Sequence, residues 1–589
     1  MWRKKLLLTF TILFHAFCNA QNLSEMESIM NFLGVVSPED IDPDEAERLS
    51  DYITKPIRLN VLTLEELESS GILNTFQAVS LVDYRKRHGD VMSFNELAAL
   101  DGFNKEIVEQ IQPFVSLQGG NFAPSQNRRP EVDISIRGGY KLSPVSTEAD
   151  GNINHGLKFR LNKEGHYSIS FSASKSYDAL GMAPDSYSGN VTYSFRNIPM
   201  RFIVGDFNAR FGQGLTLWNG MAMSGFDSPS AFIRNQTGIK PTWSFTGSSA
   251  MTGVAVETSI RRVRFSGMIA LPECRNGLRS VMPAINASWY GKNMRCGVTH
   301  YSEINLTGLI SDMKTSADIS ICKYGADVFS EVSYDWVNGA LSSLAGVRIT
   351  AGDLLLASML RYYHPEYKSS WSGAARSLTK CSNEYGTSLA VQFSKGRTGD
   401  KRKHIAVFSI DAAYLPVPKQ ENARSIQVRS SLNWKYMITR SLQIDFRCTE
   451  RYRTWGMPLR SDIRMDIRYN STRYLLSARI NFLKYRKQSY LTYLEGGYLH
   501  SKELSIYLKH GIFIVDNWDD RIYAYERDAP GNFNVPAFYG RGLWVSATAS
   551  WKFTRWGKLY ARCSMTSYPF MKEEKPGKAE LKLQCVFSL

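Results

Sequence analysis

The sequence has few of the residue patterns that mark a metal site or a disulfide framework. Its 589 residues include only eight cysteines, and no two of them form a CxxC pair. Seven of the eight follow residue 20, an odd number without close spacing, so neither a disulfide framework nor a zinc knuckle is predicted. The nine histidines are scattered and form no HExxH motif. We therefore expect no metal and no cofactor.

Long apolar runs are also missing beyond the first residues. After residue 20, no stretch approaches the roughly 18 consecutive apolar residues that a membrane-spanning helix needs. Residues 1–20 have a basic start, an apolar middle and a small-residue end, which is typical of a signal peptide removed before Gln21. Lipidation at Cys18 is the alternative, although Phe17 is bulkier than the residue that usually precedes such a cysteine. A chain of this kind would cross a membrane as a barrel.

What the sequence does contain is alternation of apolar and polar residues. Residues 581–589 alternate to the last position, and residues 543–553 and 559–566 repeat the pattern. A period of two predicts strands with one apolar and one polar face. The composition, 43% hydrophobic and 12% aromatic with a negative mean hydropathy, suits a barrel with an apolar outside and a polar inside.

Further strands are predicted along the chain, with a tight turn at Arg261-Arg262 between two of them. The other candidate strands are 132–138, 157–161, 167–173, 190–195, 200–205, 255–260, 263–271, 475–482, 491–498 and 504–514. With about 9 to 11 residues per tilted strand, residues 130–589 would form an all-β transmembrane antiparallel barrel of about 16 to 22 strands. Residues 581–589 are expected to close it against 132–138. Tryptophans near strand ends, such as Trp218, Trp336 and Trp544, are expected in aromatic girdles.

Charge divides the chain into two parts. Residues 21–120 contain 18 acidic and 7 basic residues, a net charge of −11, whereas residues 121–589 carry +24. Residues 119–129 have the Gly, Pro, Ser and Asn content of a linker, and the periodicity changes there from helical to alternating. We therefore predict a small all-α acidic domain over 21–118 before the barrel. Inward basic positions such as Lys158 and Arg562 would favour anionic solutes or an acidic plug in the lumen.

The acidic domain has clear signals for helix ends. Thr63-Leu64-Glu65-Glu66 predicts a capping box, and Ser93-Phe94-Asn95-Glu96 repeats the signal thirty residues later. Residues 76–88 have a helical pattern that Gly89 would end. The domain should therefore contain two successive pairs of short helices.

These paired helices resemble the tandem helix-hairpin-helix domain of the ComEA-like competence proteins, over residues 59–115. The matching residues are Leu59-Asn60, Leu64-Glu65-Glu66-Leu67, Asp83-Tyr84-Arg85, Phe94, Glu96-Leu97, Gly102-Phe103 and Pro113-Phe114-Val115. In DNA-binding members a Gly-hydrophobic-Gly turn presents backbone amides to a phosphate, because glycine tolerates positive φ. The residues that the resemblance places at phosphate or partner contact are Gly71, Ile72, Gly102, Phe103, Asn104 and Lys105.

Two observations weigh against DNA as the partner of this domain. The first turn lacks its second glycine, and Asn104 replaces it in the second, although asparagine still enters the left-handed region. DNA affinity comes mainly from Lys and Arg, whereas the domain has a net charge of −11. Its basic patch of Arg85, Lys86 and Arg87 also fits a solvated helix end. The domain is therefore expected to contact protein, either a periplasmic partner or the basic barrel itself.

Two long segments interrupt the alternation of the barrel and are candidate functional loops. The glycine-rich segment 205–215 contributes Asp206, Arg210 and Gln213. The aromatic segment 516–542 contributes the candidates Arg521, Tyr523, Tyr525 and Glu526. Together with the hairpin domain, these segments resemble the outer-membrane barrels of Bacteroidetes that carry a helix-hairpin-helix head, a family that implies architecture more than mechanism.

The favoured hypothesis is a non-enzymatic barrel in the bacterial outer membrane, contacting its lipid, that acts as a channel or as a transport or assembly component. Its periplasmic helical domain would serve as plug or protein-docking module. The alternative is a DNA-binding or DNA-uptake pore related to competence. A barrel enzyme would need a nucleophile and base at one height, and no spacing singles out such a pair. A soluble secreted β-protein is the remaining alternative.

Overall fold

The computed structural model describes most of the chain. The described residues are 25–35, 37–118, 130–142, 149–163, 165–195, 198–220, 226–243, 245, 250–272, 280–368, 370–396, 403–420, 423–501, 503–571 and 575–589. The predicted signal peptide (1–20) and linker (119–129) lie outside them.

Residues 25–118, called the head below, form a small helical unit. Its helices are α1 Glu25–Leu33, α2 Pro43–Thr54, α3 Leu64–Ser70, α4 Thr75–His88, α5 Phe94–Ala98 and α6 Lys105–Ile111, with short 3₁₀ helices at Pro38–Asp40 and Gln112–Phe114. Strands β1 (Ile57–Arg58) and β2 (Val115–Ser116) pair in parallel. Nineteen buried apolar residues form a core within the head, so the head has a hydrophobic core of its own. Among the described residues, no helix is long and apolar enough to cross a membrane.

The helix ends in the head follow the cap signals of the sequence. Thr63 and Glu66 form the predicted capping box at α3, and Asn74 forms another with Gln77 at α4. At α5, Ser93 accepts from the Glu96 amide as predicted, but the Glu96 carboxylate accepts from the Met92 amide, one residue earlier. These local caps define two helical hairpins, α3–α4 and α5–α6.

The rest of the described chain is a closed antiparallel barrel. Its strands and those of its loops are β3 Glu131–Lys141, β4 Ile153–Lys163, β5 Tyr167–Lys175, β6 Ser186–Ser194, β7 Met200–Arg210, β8 Gly238–Pro241, β9 Met251–Ile260, β10 Val263–Leu271, β11 Ser280–Tyr290, β12 Met294–Asn305, β13 Ile310–Lys323, β14 Ala326–Asp335, β15 Ala340–Ala351, β16 Leu354–Tyr363, β17 Glu384–Lys395, β18 Lys403–Leu415, β19 Ser425–Met437, β20 Leu442–Arg453, β21 Leu459–Asn470, β22 Tyr474–Lys484, β23 Gln488–Leu499, β24 Leu504–Val515, β25 Ile522–Tyr523, β26 Ala537–Phe538, β27 Gly540–Lys552, β28 Gly557–Ser567 and β29 Lys578–Ser588.

The barrel closes where the sequence predicted. Strand β29 pairs with β3, and Leu583 lies opposite Gly138. The wall has 24 strands, since β7 pairs directly with β9, the short β8 only extends β7, and β25 and β26 pair with each other. The fold class is thus confirmed, but the number of strands exceeds the predicted 16 to 22. Most loops between the strands are shorter than the estimate assumed, so more strands fit into the same length of chain.

The two faces of the wall differ as expected for a barrel in lipid. Apolar side chains such as Ile136, Leu360 and Leu494 are exposed on the outside, while the buried inward positions are rich in Ser, Asn, Asp, Glu, Lys and Arg. Aromatic rows cross neighbouring strands on the outer face, for example Tyr362 on Tyr385 at 5.0 Å between ring centroids. Trp218 and Trp544, expected in the girdles, are instead buried in the interior.

The two ends of the barrel have connections of different length. At the end where β3 begins and β29 stops, every hairpin turn has 2 to 7 residues, including the predicted turn at Arg261-Arg262. We call this the short-turn end. The opposite, long-loop end carries three long connections, residues 211–250, 364–383 and 516–539.

Candidate functional site

The candidate site is the interface between the acidic head and the inner wall of the barrel. Seven basic side chains of the wall form ion pairs with six carboxylates of the head. The pairs are Lys158 with Glu47, Arg160 with Asp51 (3.9 Å), Arg210 with Glu45 (2.6 Å), Arg264 with Glu68, Arg447 with Asp40 (2.7 Å), and both Arg464 (3.3 Å) and Arg479 with Glu39.

These contacts hold the head from opposite sides. Four of the seven basic residues lie on β4, β7 and β10, within one arc of six neighbouring strands, and the other three lie on β20 to β22, across the closed wall from that arc. Their side chains face inward, because the apolar residues between them face outward. A unit that touches opposite sides of the inner wall lies within the lumen. The head therefore occupies the lumen of the barrel.

Glu39 has the most connected position in this interface. It pairs with Arg464 and Arg479, and it accepts a hydrogen bond from the backbone amide of Tyr525 at 2.8 Å. Burial would raise the pKa of Glu39, but the charges of Arg479 and Arg464 outweigh it and hold the pKa well below its ordinary value. The pKa of Glu45 is also lowered, because the charges of Arg48 and Arg210 outweigh the effect of its burial.

Other head carboxylates are less fully compensated. Burial raises the pKa of Asp51 to about 6, with Arg160 opposing the shift and Glu47 adding to it. Burial also raises the pKa of Glu68 above its ordinary value despite the nearby Arg264. The interface thus contains two kinds of carboxylate. Glu39 and Glu45 stabilise the docked head when they are charged, whereas charging Asp51 or Glu68 destabilises it.

The head meets the wall through polar contacts far more than through apolar ones. Among the described residues, Phe533 is the side chain from outside the head that packs against its apolar core. The ion pairs are supplemented by hydrogen bonds, such as Asn470 to Glu27 (3.0 Å) and Arg201 to Ser69 (3.2 Å). A polar interface of this kind resembles transient contacts between domains and permits separation.

The long loops also enter the lumen. Residues Leu215, Phe232 and Tyr367 of these loops are buried against the inward Phe329 and Met359 of the wall. Glu331 anchors the first loop by accepting from the backbone amides of residues 213, 215 and 216. These segments lie toward the long-loop end, whereas the head reaches the short-turn end, where its Asp101 pairs with Lys292 (3.4 Å) in a hairpin turn.

Among the described residues, cavities lie between the head and the wall, and two of them are large. One, of about 670 Å³, lies between α1 and α2 of the head, the loop 516–539, and the wall near Arg137 and Arg562. The other, of about 580 Å³, lies between the head and the wall near Arg210 and Trp434. Among the described residues, no group of three or more His, Cys, Asp or Glu side chains is arranged to hold a metal ion.

Comparison with known proteins adds little beyond the fold. No family model matches the chain. Over 60 residues it is 37% identical to the rat (Rattus norvegicus) "Endonuclease/exonuclease/phosphatase family domain-containing protein 1", a match that covers 10% of this chain and 10% of that protein. The chain thus matches only a tenth of the length of this relative.

Among solved structures, several barrels are similar to the chain at low identity. The copper transporter OprC has 8% identity and a TM-score of 0.41, covering 78% of this chain and 80% of its own. The siderophore receptor PirA from Pseudomonas aeruginosa has 9% identity and a TM-score of 0.38 over 79% and 81%. The P pilus usher (PapC) translocation pore has 10% identity and a TM-score of 0.35 over 78% and 99%. These scores are low, and no functional conclusion follows from them.

The predicted hairpin turns form, but not as a repeated amide nest. Gly71 and Gly102 both have positive φ, 67° and 84°. Asn104, which was expected to replace a left-handed glycine, has φ −151° and instead caps α6 by accepting from the Ile107 amide. Ile72 and Phe103 are buried in the head core, and Lys105 is exposed. The left-handed role of Asn104 is therefore corrected to that of a helix cap.

The predicted basic patch is divided between two roles. Arg85 donates hydrogen bonds to the carbonyls of Leu59 (3.2 Å) and Leu62 (2.6 Å), so it ties α4 to the start of the hairpin. Lys86 and Arg87 are exposed, with Arg87 at 3.7 Å from Asp83. Only these two residues of the patch are presented to solvent.

The candidate residues of segment 205–215 hold the interior together. Asp206 accepts from the Gly189 amide at 3.0 Å and from Thr252, which joins β7 to both neighbouring strands. Arg210 contacts the head through Glu45, and Gln213 is anchored at Glu331. Arg210 alone of these three therefore belongs to the interface with the head.

The candidates of segment 516–542 separate in the same way. Tyr525 touches the head through Glu39, and Glu526 pairs with Arg562 and accepts from Trp544 at 3.1 Å. Arg521 and Tyr523 bond to each other at 2.6 Å, away from the head. Tyr525 is thus the interface residue, and Glu526 fixes the loop to the wall.

Most interface residues were not singled out from the sequence. The head carboxylates Glu39, Asp40, Glu45, Glu47 and Asp51 appeared there only as part of a net charge. Their arginine partners lie up to 440 positions away in the chain, so no local pattern connects them. The opposite charges of the two regions were the one signal that pointed to this contact.

Proposed function

We propose that the protein is a non-enzymatic channel of the bacterial outer membrane whose helical head is a docked, releasable plug. The observation that carries this proposal is the set of seven ion pairs between the head and two opposite sides of the wall. A barrel of 24 strands is wide enough to enclose a lumen that needs a plug if it is to stay closed.

The polar character of the interface supports release as part of the function. An apolar interface of the same extent would be permanent, whereas ion pairs and hydrogen bonds can be exchanged for contacts with water, salt or a solute. The core of the head lies within the head itself, so undocking need not unfold it.

The proposal includes an orientation for the chain. Outer-membrane barrels have short turns on the periplasmic side and longer loops outside. The short-turn end is therefore assigned to the periplasm, with the head entering the lumen from there and secretion directed by residues 1–20. The ComEA-like helix-hairpin-helix assignment and the likeness to Bacteroidetes-type barrels belong to the same proposal, and the two hairpins with left-handed Gly71 and Gly102 support the first.

Conductance in planar bilayers tests the plug. The full chain is expected to give little current, and a chain lacking residues 21–118 is expected to give large, steady openings. A smaller change, Glu39, Glu45 and Glu47 to Gln, should give intermittent openings because the head stays tethered but docks less tightly. If removal of the head opens no current, the plug hypothesis fails, because the three long loops would then close the lumen alone.

A matched control removes the same charge elsewhere in the head. Asp83→Asn, Glu106→Gln and Glu109→Gln change three acidic residues that form no ion pair with the wall among the described residues. This variant should conduct like the original chain. Equal opening in both triple variants would attribute the effect to net charge and contradict specific docking.

A DNA-uptake pore remains the second candidate, and one observation favours it more than the sequence did. The ion pairs with the wall neutralise much of the head's negative charge, and that charge was the main reason to disfavour DNA binding. Of the charged side chains whose exposure the structure describes in the head, five exposed ones are acidic and three are basic, namely Glu25, Asp40, Asp83, Asp101, Glu106, Lys86, Arg87 and Lys105. The presented surface is thus much less acidic than the whole domain.

Binding of short duplex DNA to the full chain, measured against salt, tests this candidate. If the hairpins bind DNA, affinity should fall steeply with salt and should be lost on Lys105→Ala and on Gly102→Val, which blocks the positive φ. Absence of binding at low salt would end the DNA hypothesis and leave the plug proposal untouched.

A further inference from the structure

An arginine cluster at the long-loop end of the lumen forms no ion pair with a carboxylate among the residues that the structure describes. Arg451 and Arg453 lie on β20 and Arg460 on β21, all on lumen-facing positions of the wall. Arg451 is directly opposite both Arg429 and Arg460 on the neighbouring strands. Like charges placed opposite each other destabilise a sheet. We call Arg451, Arg453 and Arg460 the outer arginine cluster.

Neighbouring arginines of the wall are neutralised. Arg464 and Arg479 share Asp466 and Glu39, while Arg429 and Arg447 share Asp227. By contrast, none of the three cluster arginines forms an ion pair with a described carboxylate. No described carboxylate therefore neutralises the cluster, in contrast to the adjacent arginines of β19 to β22.

The nearest acidic side chains do not fill this role. Asp462, two positions from Arg460 on the same face, accepts from Asn481 at 2.8 Å. Glu450 is exposed on the opposite, outward-alternating side of β20. Both lie beyond ion-pair distance of the cluster.

Aromatic rings hold the cluster arginines in place. The guanidinium groups of Arg451 and Arg460 both lie 5.7 Å from the ring centroid of Tyr485, and that of Arg453 lies 5.4 Å from that of Trp455. Arg453 uses one donor on Gln427 (2.6 Å), and Arg460 uses one on the Asp519 carbonyl (3.4 Å). An arginine has five N–H donors, so most donors remain for a ligand.

We propose that the outer arginine cluster binds a soluble solute bearing a multiply charged oxyanion, such as a phosphate or polycarboxylate group. Guanidinium groups match such oxyanions in bidentate geometry, and the lumen-facing side chains favour a free solute over a lipid headgroup. Below the cluster on β21, Arg464 is held by Glu39 and Arg468 by Asp445 (3.6 Å). An oxyanion arriving from the cluster competes with Glu39, a step that rests on the proposed plug.

Calorimetric titration of the full chain in detergent with inorganic pyrophosphate, at about 0.15 M salt, tests the site. Saturable binding is expected, and Arg451→Gln, Arg453→Gln and Arg460→Gln together should weaken it about tenfold or more. A control with Arg262→Gln, Arg473→Gln and Arg555→Gln, three exposed arginines in short-turn hairpins, should bind like the original chain. Equal binding in both triple variants, or none in the full chain, would overturn the proposal.

Two further arms complete the test. If the glutamine variant fails to fold, the same three positions changed to Lys keep the charge and should bind with intermediate affinity, because lysine lacks the bidentate fork. Vesicles of anionic phospholipid serve as the second probe, and cluster-dependent binding to vesicles without binding to pyrophosphate would overturn the soluble ligand. Conductance of the chain lacking residues 21–118 is measured separately, so failure of the plug and failure of the site are told apart.

Discussion

Glu39 joins three parts of the molecule, because it lies in the head, pairs with two arginines of the wall and accepts from the backbone of the loop 516–539. Glu39→Gln keeps the acceptor for Tyr525 but removes the charge. Since Asp466 still neutralises both arginines, we expect a loss of about 2 kcal/mol of docking free energy rather than the full cost of an orphaned buried charge.

Opening frequency in single-channel records measures this loss. A change of about 2 kcal/mol raises the open-to-closed ratio roughly thirtyfold. Glu106→Gln, an exposed head residue, is the control and should leave the ratio unchanged. An unchanged ratio in Glu39→Gln would show that this contact does not hold the plug.

Asp51 acts in the opposite direction to Glu39. Its pKa is raised from 3.8 to about 6, so the docked head prefers the protonated form, and docking weakens as pH rises from about 4 through 6. The charged groups around it are Glu47 in the head and Lys158, Arg160 and Asp133 on the wall. Asp51→Asn should therefore tighten docking above pH 6 and change nothing below about pH 4. Hydrogen exchange of the head across this pH range measures the effect, and equal protection of both chains at pH 8 would contradict it.

At the scale of single elements, glycine decides whether β6 and β7 can pair closely. Gly205 has φ 109°, and a Cβ added there would lie 2.2 Å from the Gly189 carbonyl oxygen. Gly205→Ala should therefore destabilise the barrel by at least about 1 to 3 kcal/mol, from strain and forced separation of the strands. Gly267→Ala, where a Cβ meets only Val256 at 3.7 Å, is the matched control. The urea midpoints of unfolding of the two variants are measured by heat-modifiable gel mobility. Equal midpoints would contradict this prediction.

Local elements were largely predictable because their causes are local. The cap signals at Thr63 and Ser93 placed α3 and α5, and the alternation of residues 581–589 placed β29. The individual strands between residues 280 and 470 were not predicted from the sequence. Inward positions such as Phe329, Leu344 and Met359 are apolar there, because they pack against loops that enter the lumen. Apolar residues on both faces remove the alternation, and no local pattern shows the loops.

At the scale of the whole molecule, the charge split predicted that the head and barrel attract each other, but not which residues meet. The pairing of Asp40 with Arg447 joins positions 407 apart, and it depends on the height of the head in the lumen. That height is set by shape as well as charge. The net charges therefore predicted the contact, and only the fold shows which carboxylate meets which arginine.

The pH dependence of the channel follows from opposite shifts within one interface. Glu39 and Glu45 have lowered pKa values, so their stabilisation of the docked head is present above their ordinary value of 4.5 and is lost as pH falls below it. Asp51, raised to about 6, weakens docking as pH rises from about 4 to 6 and has no further effect above that value. Docking should thus be tightest near about pH 4.5.

Bilayer recordings from pH 3 to 8 measure this dependence on the full chain. Conductance should be lowest near about pH 4.5, rise steeply on acidification, rise more gently from there to about pH 6, and stay level above that. In Asp51→Asn the rise between about pH 4.5 and 6 should shrink. The acidic rise should remain, because Glu39 and Glu45 govern it. Higher salt should increase conductance at every pH by more than bulk conductivity does, since screening weakens the less buried pairs. A full chain that stays closed at pH 3, although the chain without its head conducts, would show that apolar contacts and shape hold the plug instead of charge.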